Sequence, residues 1–373
     1  MKTKKHKILV LGQTPPPYGG QALMLQALLD GKYRNAELVH VRLEFSKDFN
    51  DMGSFRLYKF WGLFKAILLT AIYRFTQGAD ILYYGPAGPN KLGMWRDVIL
   101  LAPIRFLFKK TIIHTHAGGT SRLYQKLHPV GKFLYRVAFF NPDILITLTE
   151  YSHGDETVLR AKKLFVVPNG IEDKFLYNRQ SNDSPTRVDQ PYNLLYIGAM
   201  YAERGMVELI EAARILKDKR YKFCLRLVGI FIDSSFSKYI SELVIKHNLS
   251  DYVEFLGTKT GRDKWEILRN TDVFVFPTYV PSETFGVVLV EAMQFKVPIV
   301  ASRWNGIPFV VGENEDALLV NPKDSEDLAS KIQLLLDNEE LRLTMGMNGR
   351  SHYLSKYSIQ SFIKNMDDVF SEL

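Results

Sequence analysis

The hydrophobic pattern of the chain alternates short apolar runs with longer amphipathic stretches, in two successive blocks. Short runs rich in Val, Ile, Leu and aromatic residues, bounded by Gly, Pro, Asn or Asp, are typical of buried parallel strands. They occupy residues 8–12, 79–85, 111–114, 143–149 and 164–168 in the first block, and residues 192–198, 223–229, 253–257 and 272–276 in the second. Helical spacing follows most of them, so the pattern predicts an α/β protein with two parallel sheets.

A polar segment separates the two blocks. Residues 178–191, NRQSNDSPTRVDQP, are rich in turn-forming residues and contain no large apolar side chain. Such a composition is typical of a linker. We therefore predict one domain in residues 1–177, a linker in residues 178–191 and a second domain in residues 192–352.

The stretch PTYVPSETFGVVLVEAMQFKVP, residues 277–298, carries the strongest candidate chemistry. It follows an apolar strand and begins with proline and a polar turn, and it becomes a good helix former after Gly286. The first turn of a helix has N–H groups without intrahelical partners, and its dipole favours an anion by about 0.3–1 kcal/mol. The pattern therefore predicts an anion site, suited to a diphosphate, at Gly286.

Two glutamates flank this predicted helix start. Glu283 precedes Gly286, and Glu291 lies eight positions after Glu283. At 1.5 Å per helical residue, Glu291 is roughly 7–8 Å from the anion site, which is near the distance from a diphosphate to its ribose. By spacing alone, an equally good interpretation is that Glu283 caps the helix and Glu291 is a solvated charge on its face.

A family resemblance favours the ligand-binding interpretation of the two glutamates over the structural one. Glu283-Thr-Phe-Gly-Val-Val-Leu-Val-Glu291-Ala-Met, followed by Pro298-Ile-Val-Ala-Ser, resembles the E-x7-E signature of the retaining GT-B glycosyltransferases of family 4. The resemblance is strong over residues 190–350 and looser before them. It implies the GT-B fold, in which two Rossmann-like domains with parallel sheets face an interdomain cleft, and in which residues from about 353 to 373 cross back to the first domain.

The resemblance also implies a set of site residues. In the second domain, Glu291 would bind the ribose of a nucleotide sugar, while Arg204 and the helix start at Gly286 would bind its diphosphate. Glu283 and, from the first domain, His116 would orient the sugar as the catalytic residues. The further donor-binding residues that it implies are Gly19, Gly20, Thr258, Thr284, Phe285 and Val287.

The sequence departs from the family pattern at one position. The family's phosphate loop normally carries two cations, and here Arg204 fills the second position while Ala199 occupies the first. A charge-assisted hydrogen bond is worth about 1.5–3 kcal/mol, so its absence predicts either a substitute cation or weaker activity.

Composition and charge narrow the function classes. The chain holds one cysteine, Cys224, which excludes an intrachain disulfide and predicts a buried thiol in a reducing compartment.

The start MKTKKHKILVLG predicts a first strand rather than a signal peptide, and no uncharged run reaches the roughly 18–20 residues that span a bilayer. The first strand lacks a G-x-G-x-x-G motif, which disfavours an oxidoreductase. A metal site at His114-x-His116 would need further ligands that the nearby sequence does not offer, and the chain contains no Asp-x-Asp pair, so we expect no metal and no cofactor.

Charge is unevenly distributed between the two halves. Residues 1–180 hold 26 Lys and Arg against 13 Asp and Glu, whereas the remaining residues hold 22 against 27. The aromatic, basic segments 55–75 and 95–110 suit a membrane interface, or alternatively a helix packed on the sheet with its Lys and Arg side chains reaching solvent. We therefore expect a cytoplasmic protein without a nucleic-acid partner, and peripheral docking on an anionic membrane surface is one of the two interpretations that these segments leave open.

These observations lead to one main functional hypothesis and two alternatives. The main hypothesis is a metal-independent hexosyl- or acetylhexosaminyltransferase that moves a sugar, with retention, from a UDP-linked donor to a hydroxyl of a lipid-linked glycan in cell-surface polysaccharide or glycoconjugate synthesis. The alternatives are a sugar-nucleotide epimerase of the same fold and a non-catalytic partner subunit, which Ala199 motivates.

Overall fold

The computed structural model describes residues 5–16, 19–43, 57–151, 154–175 and 190–373. The chain forms two compact units: Met1–Gly170 together with Ile359–Leu373, and Ile171–Ser358. Most of the predicted linker, residues 178–189, lies outside the described residues, so the linker and its boundaries stay a prediction.

The first unit contains a six-stranded sheet in which all strands are parallel. Its strand order is β2-β1-β3-β4-β5-β6. The strands are β1 His6–Gly12, β2 Ala36–Arg42, β3 Ile81–Tyr84, β4 Lys110–His114, β5 Ile144–Thr147 and β6 Lys163–Val166. The helices between them are α1 Gly20–Asp30, α2 Leu57–Thr76, α3 Lys91–Leu101, α4 Thr120–Gln125, α5 Pro129–Phe139 and α6 Asp155–Leu159.

The second unit repeats this architecture with its own all-parallel sheet, in the order β12-β11-β10-β7-β8-β9. The strands are β7 Tyr192–Ile197, β8 Phe223–Val228, β9 Val253–Gly257, β10 Val273–Phe276, β11 Ile299–Ser302 and β12 Ala317–Val320. The helices are α7 Met206–Asp218, α8 Ser234–Lys246, α9 Gly261–Arg269, α10 Val287–Gln294, α11 Ile307–Val310, α12 Ser325–Asp337 and α13 Glu339–His352. Cys224 lies in β8 with its side chain only half-buried, because alternate residues of that strand point away from the core.

The last helix, α14 Ile359–Ser371, belongs to the first unit although it follows the second in sequence. Its apolar side chains Phe362, Met366, Val369 and Phe370 are buried with those of β1 and α1. Asp367 of α14 also accepts a hydrogen bond from the backbone N–H of Arg34, at 2.9 Å.

Both sheets have a point at which the strand order reverses. In the first unit this point lies between β1 and β3, and in the second between β7 and β10, because these neighbours are not consecutive in the chain. Loops that leave a parallel sheet at such a point diverge, and the opening between them is the usual ligand site of this fold class. The predicted fold class, α/β with two Rossmann-like domains as in GT-B proteins, is confirmed.

Candidate functional site

Two loops meet at the strand-order reversal of the second unit. The loop after β10 donates the backbone N–H of Tyr279 to the carbonyl of Glu203, at 2.7 Å, in the loop after β7. Gly205 allows this approach, since its φ is +74° and a Cβ there would lie 2.2 Å from the carbonyl oxygen of Pro277. The two loops therefore form one connected wall.

Helix α10 begins in this wall, as the sequence predicts. Gly286 is the residue before its first turn and has φ +70°, a conformation that side-chain-bearing residues rarely adopt. The loop ahead of it is held by Trp304, whose Nε1 donates to the carbonyl of Val280 at 2.8 Å. Asn305 donates to the carbonyl of Pro281 at 3.1 Å. The N–H groups of the first turn of α10 are thus presented on a fixed backbone, which suits them to an anion.

Arg204 and Glu283 form an ion pair at the edge of this wall. Nη1 of Arg204 donates to Oε2 of Glu283 at 2.7 Å, and the two side chains are 21% and 14% exposed. Burial disfavours the charged guanidinium, but the adjacent Glu283 carboxylate outweighs it, so the pKa of Arg204 is raised. Nε of Arg204 is buried and has no hydrogen-bond partner among the described residues, which leaves it able to donate to a ligand.

Glu291 takes part in a second ion pair, which the sequence did not predict. Nζ of Lys264, in α9, donates to Oε1 of Glu291 at 2.6 Å, with exposed fractions of 21% and 18%. Oε2 of Glu291 is buried and lacks a hydrogen-bond partner in the described part of the chain. Only a hydrogen-bond donor, such as a hydroxyl, would satisfy that oxygen. Lys264 and Glu291 lie 27 positions apart in the sequence, which explains why no local pattern signalled this pair.

The remaining predicted residues of the second unit differ in what they can contact. Phe285 is 3% exposed, and its ring packs against that of Tyr357 at 5.6 Å between centroids, so its side chain belongs to the core. Thr284 is also buried. Val287 is half-buried in the first turn of α10, and Thr258 is exposed directly after β9.

In the first unit, His116 lies just beyond the carboxyl end of β4, and His114 is the last residue of that strand. Their rings stack at 4.3 Å between centroids. Nδ1 of His114 pairs with the hydroxyl of Tyr83 at 2.5 Å. His114 is completely buried, so its role is structural.

The environment of the two histidines keeps both rings neutral near pH 7. Burial lowers the pKa of His116 to about 4, against an opposing effect of Asn169. Burial and the neighbouring His116 lower the pKa of His114 well below its ordinary value. Nδ1 of His116 and the side-chain oxygen of Asn169 are buried without hydrogen-bond partners among the described residues. His116 can therefore offer a neutral hydrogen bond to a ligand, but no positive charge.

The Gly19–Gly20 pair lies at the strand-order reversal of the first unit. Gly19 precedes α1 and Gly20 is its first residue. A Cβ at either position would meet nothing within 4 Å, so the space beside them is open. Gln21 donates its side-chain amide to the carbonyl of Gly85 at 2.8 Å and so links the start of α1 to the loop after β3.

The described residues contain no group of three or more His, Cys, Asp or Glu side chains that could hold a metal ion. Within the same residues, no helix is long and apolar enough to cross a membrane.

The sequence model of the family "Glycosyl transferases group 1" matches residues 178–352 of the chain. An uncharacterized glycosyltransferase of Methanocaldococcus jannaschii is 30% identical over 256 residues, which are 68% of this chain and 67% of that protein. The N,N'-diacetylbacillosaminyl-diphospho-undecaprenol alpha-1,3-N-acetylgalactosaminyltransferase of Campylobacter jejuni is 28% identical over 218 residues, which are 58% of this chain and 54% of that protein. This chain thus spans about half the length of the second relative.

Among solved structures, Anabaena HepE in complex with UDP has a TM-score of 0.75 to this chain. The alignment covers 98% of this chain and 100% of HepE, with 17% sequence identity. This likeness supports the fold of the whole chain.

Proposed function

Because the chain belongs to the glycosyl transferases group 1, we propose that it transfers a sugar from a UDP-linked donor to a hydroxyl of a glycan acceptor, with retention at the anomeric carbon. The observation that carries this proposal is the second-unit wall: a fixed helix start at Gly286 flanked by Arg204, Glu283 and Glu291. It combines donors for a diphosphate with an unsatisfied acceptor for a ribose hydroxyl.

The chemistry follows from where charge develops. As the bond from the sugar to the diphosphate breaks, negative charge accumulates on the leaving phosphate, and donors aimed there stabilise the transition state. The N–H groups of α10 and the guanidinium of Arg204 are those donors. Glu283 and the neutral His116 would hydrogen-bond to the sugar. No metal is needed in this scheme.

The test is binding of nucleoside diphosphates, followed by transfer. We expect UDP to raise the melting temperature more than GDP or ADP does, and Arg204→Gln or Glu291→Gln to weaken UDP binding about tenfold or more. Glu254→Gln, an exposed glutamate in β9, is the matched control. Unchanged UDP affinity in both site variants would refute the proposed placement of the donor.

We further propose that the acceptor is linked to a membrane lipid. An apolar face of the first unit would bind the membrane that contains this lipid. Helix α2 buries Leu63 and Ala66 in the core, and its opposite side forms an exposed apolar stripe. The stripe consists of Trp61, Phe64, Leu68, Ile72 and Phe75. This spacing is that of one helical face, and the excess of Lys and Arg in residues 1–180 complements an anionic bilayer. The acceptor of the C. jejuni relative is an undecaprenol diphosphate sugar, as its name states.

Sedimentation with vesicles tests this membrane contact. We expect binding to phosphatidylcholine vesicles that contain phosphatidylglycerol, and less binding for Trp61→Ser combined with Phe64→Ser. Ile245→Ser combined with Leu343→Ser removes exposed apolar residues from the second unit and serves as the control. Equal recovery of all three proteins in the supernatant would argue against the contact.

Ala199 supports one second candidate, a non-catalytic partner subunit. The side chain of Ala199 supplies no cation, and its backbone carbonyl accepts a hydrogen bond from the hydroxyl of Tyr196 at 2.9 Å. Transfer or donor hydrolysis above background would exclude this candidate, and formation of an epimerised donor without acceptor would indicate the epimerase instead.

A further inference from the structure

A cavity between α4, α5 and α6 of the first unit is not used by the proposed reaction. It is an open depression of about 310 Å³. Its lining is formed by Tyr124, Arg136, Phe140, Thr157, Val158 and Arg160. Two arginines and two aromatic rings thus share one small surface pocket.

Both arginines are held in place by the aromatic rings. The guanidinium of Arg136 lies over Tyr124 at 5.7 Å and over Phe140 at 6.0 Å, and its Nε donates to the hydroxyl of Tyr124 at 2.6 Å. The guanidinium of Arg160 lies over the same Phe140 ring at 6.0 Å. Ring contacts of this kind restrict the side chain, so the donor groups are already arranged for a ligand.

The positive charge of this pocket is not neutralised within the described structure. Neither Arg136 nor Arg160 pairs with a carboxylate among the described residues, whereas Arg34, Arg74 and Arg350 each do. Lys132 adds a third positive charge, with its Nζ 5.9 Å from the Tyr124 ring centroid. Like charges this close repel one another, and an anion bound between them would remove that repulsion.

The geometry of the donors indicates which anion fits. Guanidinium groups present parallel N–H donors that match the oxygens of a phosphate group. A carboxylate matches one guanidinium equally well, but a phosphate has three or four acceptor oxygens around one centre, which suits it better to two guanidiniums and the Thr157 hydroxyl at once.

The surroundings of the pocket add a second property. Val130, Phe133 and Val137 form an exposed apolar stripe on α5, directly beside the arc of that helix that carries Lys132 and Arg136. A helix with adjacent apolar and cationic arcs suits a phosphate that is attached to an apolar group, as in a lipid.

We propose that this pocket is a binding site for a phosphate or diphosphate group, with Arg136 and Arg160 as its two principal donors. The site does not depend on the proposed sugar transfer, and its residues all belong to the first unit. The phosphate can be free in solution or be part of a lipid, and the two sources are separated by experiment.

The experiment compares Arg136→Gln combined with Arg160→Gln against the unmodified protein. The control, Lys246→Gln combined with Lys356→Gln, removes the same charge from exposed positions of the second unit. Binding of inorganic pyrophosphate is measured by calorimetry. Binding to vesicles is measured by sedimentation, with phosphatidylcholine alone, with added phosphatidic acid, and with oleic acid added to equal charge.

We expect the arginine variant to lose about tenfold in affinity for pyrophosphate, for phosphatidic acid vesicles, or for both, while the control keeps its affinity. Loss on the vesicles alone identifies a lipid phosphate, and loss in solution identifies a site that also takes free phosphate groups. The same loss in the control, or on oleic acid vesicles, or no loss at all, would overturn the proposal. Arg136→Lys combined with Arg160→Lys keeps both charges but not the planar donors. If the glutamine variant does not fold, the affinity of this lysine variant is compared with that of the unmodified protein and of the control instead.

Discussion

At the scale of single residues, the pairing of Lys264 with Glu291 has the clearest functional consequence. The pair turns Oε1 of Glu291 toward the protein and leaves Oε2 buried without a partner among the described residues. Lys264 is therefore a positioning residue for a carboxylate that would bind a ribose hydroxyl.

Replacing Lys264 with Met should weaken discrimination between UDP and its 2'- or 3'-deoxy analogues. Without the ammonium group, Glu291 is no longer held in one orientation, and the buried carboxylate loses its only charge partner in the described structure. We expect the affinity ratio between UDP and the better-discriminated analogue to fall by about fivefold or more, measured by calorimetry. Lys259→Met, at a half-buried lysine two residues past β9, is the control; an unchanged ratio in K264M would rule out the positioning role.

His116 should make the first unit less stable as the pH falls. Its folded pKa of about 4 lies below the ordinary value of 6.5, so between these values the unfolded chain binds the proton more readily. The contribution of His116 to the free energy of unfolding is fully present above pH 6.5. It is lost as the pH falls toward 4, by on the order of 3 kcal/mol. The buried His114, beside Tyr83, adds a loss in the same direction.

Denaturant unfolding of the unmodified protein and of His116→Asn, followed from pH 7 to pH 4, checks this prediction. The variant should show a smaller decrease in the free energy of unfolding over that range. The exposed His128→Asn substitution should leave the decrease unchanged. Parallel decreases in the unmodified protein and in H116N would contradict the assignment.

At the scale of elements, the start of α10 depends on the backbone of Gly286. Its φ of +70° costs a residue with a side chain about 1–2 kcal/mol, and a Cβ there would lie 3.1 Å from Leu289 and 3.2 Å from Phe276. Both atoms belong to buried side chains that cannot move freely.

Gly286→Ala should therefore lower both stability and nucleotide affinity. Gly154→Ala is a matched control, because Gly154 also precedes a helix with φ +76° but has nothing within 4 Å of a Cβ. We expect G286A to lower the free energy of unfolding by more than G154A does, and G286A alone to weaken UDP binding. Equal effects of the two substitutions on UDP binding would show that the α10 start is not the anion site.

At the scale of the whole molecule, the first unit is completed by a segment that follows the second unit in the chain. Helix α14 contributes Phe362, Met366, Val369 and Phe370 to the core of the first unit. Burial of an apolar side chain is worth about 1.5–3 kcal/mol, so four such residues contribute an amount comparable with the 5–15 kcal/mol stability of a typical domain.

A chain ending at residue 358 should therefore retain a folded second unit and lose the first. Limited proteolysis should cut the truncated chain within residues 1–170 and leave 190–358 resistant, while the full chain resists in both. A chain that lacks only Glu372 and Leu373 controls for the new terminus. Resistance of both units in the truncated chain would mean that α14 is dispensable for the first core.

The sequence by itself determined the α/β class, nine of the twelve strands of the described structure and the strand, loop and helix start around Gly286, because these follow from apolar periodicity and turn-forming residues within short windows. It did not predict β2, β11 and β12. It also determined that Arg204 and Glu291 are candidates, through a motif read along the chain. Only the tertiary structure decided that Arg204 pairs with Glu283, that Lys264 holds Glu291, that Phe285 is buried in the core and that Arg136 and Arg160 share one pocket. Those facts join side chains 79, 27, 72 and 24 positions apart, and such distances in sequence are closed by the order of strands in a sheet and the packing of helices on it, which no local pattern records.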